Sequence, residues 1–215
     1  MKQEELQNLR QEYSAASLSE LSINNNPIKQ FETWFNEALQ AQIPEPNAMT
    51  LATATHDGRP SARIVLLKGF DERGFAFYTN YLSRKGKEIA KNPQAAITFF
   101  WGELERQVRI EGVIEKLSKE ESDQYFHSRP KQSQLGALAS PQSQEIAGRE
   151  VLEEKMDQLE TEYADKEVPK PSYWGGYVLK PRMIEFWQGR RSRLHDRVLY
   201  KKIDNKNWKK VRLAP

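Results

Sequence analysis

The chain has 215 residues, of which 38% are hydrophobic and none is cysteine. That length suits a single domain, and so lean a core favours completing its burial in a symmetric dimer. The lack of cysteine excludes disulfides, thiolate catalysis and cysteine-ligated zinc or iron–sulfur sites. No apolar run approaches the ~20 residues of a membrane span, and no secretion signal begins the sequence. We expect a cytoplasmic protein with no membrane contact.

The net charge is only +3, but it is unevenly distributed. Residues 190–212 contain ten Lys and Arg against two Asp, so this basic segment carries +8. Such a segment is expected to face an anion: a nucleic acid, a phosphate ligand or an acidic surface of a partner subunit. A nucleic-acid-binding module is therefore an alternative function. It ranks low, because only Tyr200 and Trp208 are available for base stacking.

The N-terminal part of the chain divides into an arm and a helix. Residues 1–26 are polar and predict a mobile arm or lid, which leaves 27–215 as a single domain. A helix is predicted from Pro27, with apolar residues at helical spacing, and the prolines at positions 44 and 46 end it.

Strand patterns dominate the remaining sequence. They predict strands over residues 49–55, 61–70, 75–79, 95–101, 107–117, 176–179, 183–188, 195–202 and 208–213. Further helices are predicted over residues 83–91, 119–128 and 146–164. Because tight turns join successive strands, we expect a mainly β fold of the α+β class. Its antiparallel sheet would curl into a small barrel with helices packed outside.

Two groups of cations in the first half are candidate anion sites. Arg63 and Lys68 are five apart on a strand and would face opposite sides of it, unless a bulge intervenes. Ser83, Arg84 and Lys85 open a helix, where free N–H groups and cations favour phosphate. Ordinary strand-end charges and a solvated helix cap are the alternatives.

A third candidate site follows the helix predicted over 119–128. Tyr125 and Arg129 are four apart on one helix face, and Ser133 lies just beyond Pro130. A phenol, a guanidinium and a hydroxyl can converge on one phosphate. The alternative is a partly exposed aromatic ring beside a surface arginine.

The fourth candidate lies near the C-terminus. If the chain is extended there, Arg193, His195 and Arg197 share one strand face, and three such cations repel one another without an anion opposite. Trp187 is either a wall for a ligand ring or simply core. No metal site is expected, because the three histidines are far apart in sequence. Redox chemistry would have to come from a cofactor.

Taken together, these residues resemble the pyridoxine/pyridoxamine 5′-phosphate oxidases. The signature is the run IEFWQ at 184–188 followed by RLHDR at 193–197. The resemblance extends through residues 63–68, 77–80, 83–85, 104–107, 125–130, 172–176 and 212–215, with weaker echoes at 10–13. Each motif alone is common, whereas their joint order and spacing are specific.

The resemblance implies an FMN-binding split β-barrel that forms a homodimer, with FMN at the subunit interface. It implies oxidation of pyridoxine 5′-phosphate and pyridoxamine 5′-phosphate to pyridoxal 5′-phosphate. A hydride would pass from substrate to the flavin N5, and O2 would be the final acceptor, giving H2O2. A flavin-dependent reductase or flavin carrier is the alternative within this fold, and it would not need the substrate residues named below.

The resemblance also implies a set of site residues. The FMN contacts would be Arg63, Ile64, Val65, Leu66, Leu67, Lys68, Tyr78, Thr79, Arg84, Lys85, Gln107, Gln142, Ser143, Trp187 and Arg197. The substrate contacts would be Arg10, Gln11, Glu12, Tyr13, Lys68, Tyr125, Arg129, Ser133, Arg193, Leu194 and His195. Arg193 and His195 would be the catalytic pair that orients the pyridine ring. Glu45 stands where some members carry an aspartate, so no role is assigned to it.

Overall fold

The structure is a computed structural model that describes residues 12–204 and 207–215. Its α-helices are α1 (Pro27–Gln40), α2 (Arg84–Lys91), α3 (Lys119–Ser128), α4 (Lys131–Ala139) and α5 (Glu150–Glu162). Its strands are β1 (Ala48–Ala54), β2 (Pro60–Leu66), β3 (Gly69–Asp71), β4 (Gly74–Asn80), β5 (Gln94–Trp101), β6 (Arg106–Lys116), β7 (Trp174–Gln188), β8 (Asp196–Lys202) and β9 (Trp208–Leu213). Single 3-10 turns cover Gly102–Leu104 and Arg191–Arg193.

Local sequence signals account for most helix boundaries. The side chain of Asn26 caps α1, Ser83 caps α2, and Ser118 forms a capping box with Glu121 at α3. Helix α5 is shorter than predicted at both ends. Helix α4 was not predicted, because it has a glycine at position 136 and no side-chain cap.

Three of the predicted strands differ from the structure. Residues 61–70 form two strands, because the chain leaves β2 at Leu67, and the Lys68 N–H then bonds the Ala76 carbonyl at 2.8 Å. Conversely, the two strands predicted on either side of Pro181 are one long strand, β7. The proline is tolerated because it lies between the stretch of β7 that pairs with β4 and the stretch that pairs with β8.

The strands follow one another in the order β2-β1-β5-β6-β7-β4-β3, while β8 pairs with β7 and β9 with β8. The pairs β3–β4, β4–β7, β7–β8 and β8–β9 are antiparallel. The chain divides into two compact units. Unit 1 comprises the chain up to Thr50, Ala96–Glu111 and Pro181–Pro215, and unit 2 comprises Leu51–Ala95 and Gly112–Lys180.

Each unit has its own aromatic core. In unit 1, the buried Trp34 meets Phe186 edge-on at 5.1 Å, and Phe31 packs 5.1 Å from Phe99. In unit 2, a buried cluster joins α3, α4 and α5 to the start of β7. Its members are Phe126, Leu135, Ala139, Leu159, Val168 and Trp174. Burial of these side chains fixes the helices that carry the site residues described below.

Residues 12–26 contact other parts of unit 1. Leu18 and Ile23 are buried, and the Leu18 N–H bonds the Asp196 carboxylate at 3.0 Å. Residues 1–11 lie outside the described part of the chain, so the mobile arm over 1–26 and the single domain over 27–215 remain predictions. Among the described residues, no helix is both long and apolar enough to cross a bilayer.

Candidate active site

Unit 2 contains a cavity of about 640 Å³ at which most of the predicted phosphate-binding residues meet. The predicted site residues that line it are Arg63, Ile64, Val65, Leu66, Lys68, Tyr78, Thr79, Lys85, Tyr125, Arg129, Ser133 and Gln142. Arg63 and Lys68 line the same cavity although they are five apart, because the chain leaves β2 between them. Leu67 is instead buried in the core, while Ser143 is exposed.

The start of α2 brings a lysine into this cavity. The Lys85 ammonium lies 3.1 Å from the Thr79 hydroxyl and 3.2 Å from the Gln142 side-chain oxygen. Burial lowers the pKa of Lys85, and the nearby charge of Arg63 lowers it further. Gly86 permits this placement, since a Cβ there would lie 2.2 Å from the Tyr81 carbonyl oxygen. Within residues 12–204 and 207–215, Lys85 forms no ion pair.

Two arginines near the cavity share one carboxylate. Glu88 is 6% exposed and accepts a bond of 2.9 Å from Arg84 Nε. Its other oxygen accepts from the Ser61 hydroxyl at 2.7 Å and lies 3.4 Å from Arg63 Nη2. Burial alone would raise the pKa of Glu88, but hydrogen bonds from Thr53, Ser61 and Arg84 and the Arg63 charge bring it down to about 2. Glu88 was not among the predicted site residues, and its i,i+4 spacing from Arg84 is the signal that could have found it.

Aromatic rings pack around Arg129, another cation that lines this cavity. Tyr78 and Tyr125 stack at 3.9 Å, and the Arg129 guanidinium lies 4.7 Å from the Trp174 ring centroid. Arg129 Nη2 donates to the Ser133 carbonyl at 2.6 Å, whereas its Nη1 is buried without a hydrogen-bond partner in the described chain. Burial also lowers the pKa of Arg129. A buried donor left unpaired is unfavourable, so this nitrogen fits a bound anion.

Three of the other predicted residues pack together in unit 1: Tyr13, Trp187 and His195. The Trp187 ring lies 4.6 Å from the His195 ring, and Tyr13 lies 5.8 Å from Trp187 and 5.9 Å from His195. Gly189 allows this approach, since a Cβ there would lie 2.7 Å from the Tyr13 side chain. Glu12 is exposed, Gln107 is half-buried on β6, and Arg10 and Gln11 lie outside the described residues.

One backbone bond sets the tautomer of His195. The Arg190 N–H donates to His195 Nδ1 at 3.1 Å, which places the proton of the neutral ring on Nε2. Burial lowers the pKa of His195, and the charge of Arg193 lowers it further. His195 is therefore neutral at pH 7, and its Nε2–H is a hydrogen-bond donor.

The expected strand face of Arg193, His195 and Arg197 is wrong. Ser192 and Arg193 have φ of 56° and 61°, and β8 begins only at Asp196. Left-handed backbone at two adjacent non-glycine residues is uncommon and often accompanies functional sites. Arg193 and Leu194 are exposed on this turn, Leu194 by 70%.

Among the described residues, three cations of the basic segment form ion pairs inside the chain: Arg190, Arg197 and Arg212. Arg197, opposite Trp187 in the sheet, donates to the two oxygens of buried Glu185 at 2.8 and 3.1 Å. Arg212 bonds Glu20 and Asp196, and its bond to Glu20 is the main cause that lowers the pKa of Glu20 to about 2. These cations thus bond acids of their own chain, whereas the expected anions were a nucleic acid, a phosphate ligand or an acidic surface of a partner subunit. No cluster of metal-ligating side chains occurs among the described residues.

Two family models match this chain. Residues 35–163 match a family described as pyridoxamine 5′-phosphate oxidase. Residues 174–215 match the pyridoxine 5′-phosphate oxidase C-terminal dimerisation region. The chain belongs to the pyridoxine/pyridoxamine 5′-phosphate oxidase family.

Named relatives agree over nearly the full length. An oxidase of this name from Trichormus variabilis is 59% identical over 207 residues, covering 96% of this chain and 97% of the relative. One from Salinibacter ruber is 58% identical, covering 98% and 99%. Membership of this family makes the chain an oxidoreductase.

Solved structures give the fold class. PhzG from Burkholderia lata superposes with a TM-score of 0.87 at 32% identity, covering 94% of this chain and 100% of that one. A pyridoxamine 5′-phosphate oxidase-related, FMN-binding protein from Nostoc punctiforme gives 0.71 at 17% identity, covering 90% and 100%. The expected α+β fold of the split-barrel class is confirmed.

Proposed function

We propose that this member of the family is an FMN-dependent oxidase that converts pyridoxine 5′-phosphate and pyridoxamine 5′-phosphate to pyridoxal 5′-phosphate. The observation that carries the proposal is the unit 2 cavity, where Arg63, Lys85 and Arg129 come together. Two phosphates, one on the cofactor and one on the substrate, would satisfy Lys85 and the buried nitrogen of Arg129, which have no acid partner among the described residues.

The residues at the start of α2 fit the phosphate of FMN. Arg63, Arg84 and Lys85 supply cations, and a helix N-terminus capped by Ser83 adds free N–H groups. One terminal phosphate suits this cluster, whereas no glycine-rich dinucleotide fingerprint is present for the pyrophosphate of FAD. Bound here, FMN would supply a hydride acceptor, with O2 as the final electron acceptor that yields H2O2.

The substrate phosphate is assigned to the other end of the cavity. The unpaired Nη1 of Arg129 donates to it, supported by Lys68 and the hydroxyls of Tyr125 and Ser133. Stacking of Arg129 on Trp174 restricts the guanidinium to one plane, which suits a directed hydrogen bond. The anchored phosphate then limits where the reacting carbon can lie.

Arg193 and His195 are assigned to the pyridine ring. The guanidinium of Arg193 is a planar cation with five N–H donors and no acceptor, so its role is to stabilise and orient the ring rather than to accept a proton. His195 presents Nε2–H, which can donate to the ring's oxygen substituent. Oxidation removes a hydride from the substrate carbon beside the pyridine ring and a proton from the hydroxyl or amine on that carbon. With the amine substrate, water then releases ammonia.

We further propose a homodimer in which each FMN contacts both subunits. The match of residues 174–215 to a region described as a dimerisation region supports this assembly. Flavin retention should then weaken on dilution, as the subunits separate.

The experiment begins with the purified protein's absorption spectrum and the mass of its released chromophore. FMN at one per chain is expected, and a colourless protein that binds no added FMN contradicts the proposal. Anaerobic mixing with pyridoxine 5′-phosphate should then bleach the flavin, and admitting O2 should restore the colour with one H2O2 per turnover. Pyridoxine without its phosphate is the matched control and should bleach the flavin far more slowly. Equal rates for the two substrates would instead favour a flavin-dependent reductase of another substrate.

A further inference from the structure

Glu88 is a buried carboxylate behind the cations of the unit 2 cavity. One oxygen accepts from Arg84 Nε at 2.9 Å. The other accepts from Ser61 at 2.7 Å and from Thr53, and it lies 3.4 Å from Arg63 Nη2. A single acid on α2 therefore ties together an arginine of β2 and an arginine of its own helix.

This arrangement is not explained by packing alone. Burying a carboxylate is costly, and well-packed apolar residues often stabilise a fold equally well or better. What the carboxylate adds is direction, because each hydrogen bond fixes the plane of a guanidinium. The bond to Glu88 uses Nε of Arg84, which leaves the two terminal nitrogens of that group for another acceptor.

The charges also match a phosphate. Arg63, Arg84 and Lys85 carry three positive charges, and Glu88 reduces the sum of the cluster to two. A phosphate monoester carries about −1.5 to −2 at pH 7, so it nearly neutralises this cluster.

We propose that Glu88 is a positioning residue that holds Arg63 and Arg84 for the terminal phosphate of the flavin, and thereby selects FMN over riboflavin. The proposal rests on the proposed function, since it takes these arginines as the cofactor's phosphate ligands. Glu88 itself does not touch the phosphate.

The test is a pair of titrations of the apoprotein, with FMN and with riboflavin, followed by quenching of flavin fluorescence. In Glu88→Gln an amide replaces one accepting oxygen with an N–H donor that cannot bond an arginine. The Kd for FMN should rise about 10- to 100-fold, the scale of a lost hydrogen bond between charged groups. The Kd for riboflavin, which has no phosphate, should change less than about twofold.

A matched control is available on α5. Arg149 and Glu153 form the same i,i+4 pair at 2.7 Å, with side chains 85% and 60% exposed. Glu153→Gln should leave both affinities unchanged. As a milder variant, Ser61→Ala removes one donor to the Glu88 carboxylate and should weaken FMN selectively, by less than Glu88→Gln does. Thermal unfolding of each apoprotein checks that it is folded.

The outcomes separate this proposal from the one on which it rests. If Arg84→Ala/Lys85→Ala binds FMN as tightly as wild type does, the cofactor site itself is misplaced. If that double variant loses FMN while Glu88→Gln binds it equally well or more tightly, only the role of Glu88 is overturned. Equal weakening of FMN and riboflavin in Glu88→Gln would also overturn it, because Glu88 would then only support the fold. Should Glu88→Gln fail to fold, an unchanged FMN-to-riboflavin ratio in Ser61→Ala overturns the proposal.

Discussion

The basic segment at 190–212 and the unit 2 cavity are both rich in cations, but these cations differ in their pairing and burial. In the basic segment, Arg197 meets Glu185, and Arg212 meets Glu20 and Asp196. In the cavity, Lys85 and Arg129 form no ion pair within the described residues, and one Arg129 nitrogen is buried without a partner. The two regions thus differ in where their unpaired cations lie: one nitrogen of Arg129 is buried without a partner, whereas cations of the basic segment that form no ion pair in the described chain, such as Arg191 and Lys201, are exposed to solvent.

This difference shows that the number of cations does not locate an anion site. Arg197 and Arg212 have every guanidinium nitrogen bonded within the chain and so have few donors left for an external anion, whereas Arg84, held by Glu88 through Nε, keeps its terminal nitrogens for one. A buried cation without such an acid partner has already lost its hydration, so it gains the most free energy when a phosphate binds. The pairing of each cation therefore identifies the candidate site better than the charge of a segment does.

Removing one cation from each region tests this difference directly. Arg129→Ala should lower kcat/KM for pyridoxine 5′-phosphate by roughly 3–5 kcal/mol, mostly through KM, because it removes a buried charged partner of the phosphate. FMN should stay bound. Arg212→Ala should instead lower the unfolding temperature and leave KM nearly unchanged. Steady-state kinetics and thermal unfolding of both variants measure these effects. If Arg212→Ala raised KM while Arg129→Ala only lowered the unfolding temperature, the anion site would lie in the basic segment.

Arg193 is an exposed cation of the basic segment that the proposed function assigns to the pyridine ring. Arg193→Ala should keep FMN and lose about 2–4 kcal/mol in kcat/KM, the scale of a lost preorganised charge contact. Arg191→Ala is the matched control, since it lies on the same 3-10 turn and is also exposed. The rate of anaerobic flavin bleaching measures the effect, and a wild-type rate in Arg193→Ala means that this arginine is structural.

The acid Glu88 gives the cavity a pH-dependent stability. Its pKa falls from 4.5 to about 2 on folding, so it stabilises the fold above pH 4.5, and this contribution is lost as the pH falls toward 2. The contribution at neutral pH is about 3 kcal/mol. Urea unfolding of wild type and Glu88→Gln should therefore differ most at pH 6–7 and converge near pH 2. A difference that is independent of pH would show that Glu88 acts without its charge.

The sequence predicts these two regions unequally well, for physical reasons. Helix α3 and strand β9 were predicted to the residue, because caps, prolines and apolar spacing are local signals. The residues of the cavity followed from the family resemblance, and the structure brings most of them together. The left-handed turn at Ser192 and Arg193 has no local signal, since neither residue is glycine. The carboxylates Glu88 and Glu185 were missed because their importance lies in contacts made across strands and helices.

Tyr13 offers the smallest and most specific test, at the edge of the basic segment. Its ring covers His195 at 5.9 Å, and burial is the main cause of the lowered pKa of that histidine. Tyr13→Ala exposes the imidazole, so the pKa of His195 should rise toward 6.5 and the acid limb of kcat/KM should move to higher pH. KM should rise several-fold, for a loss of about 1 kcal/mol from the aromatic contacts. Tyr13→Phe keeps the ring and should match wild type. If the pH profile of Tyr13→Ala is unchanged while its KM rises, Tyr13 contacts the substrate without influencing His195.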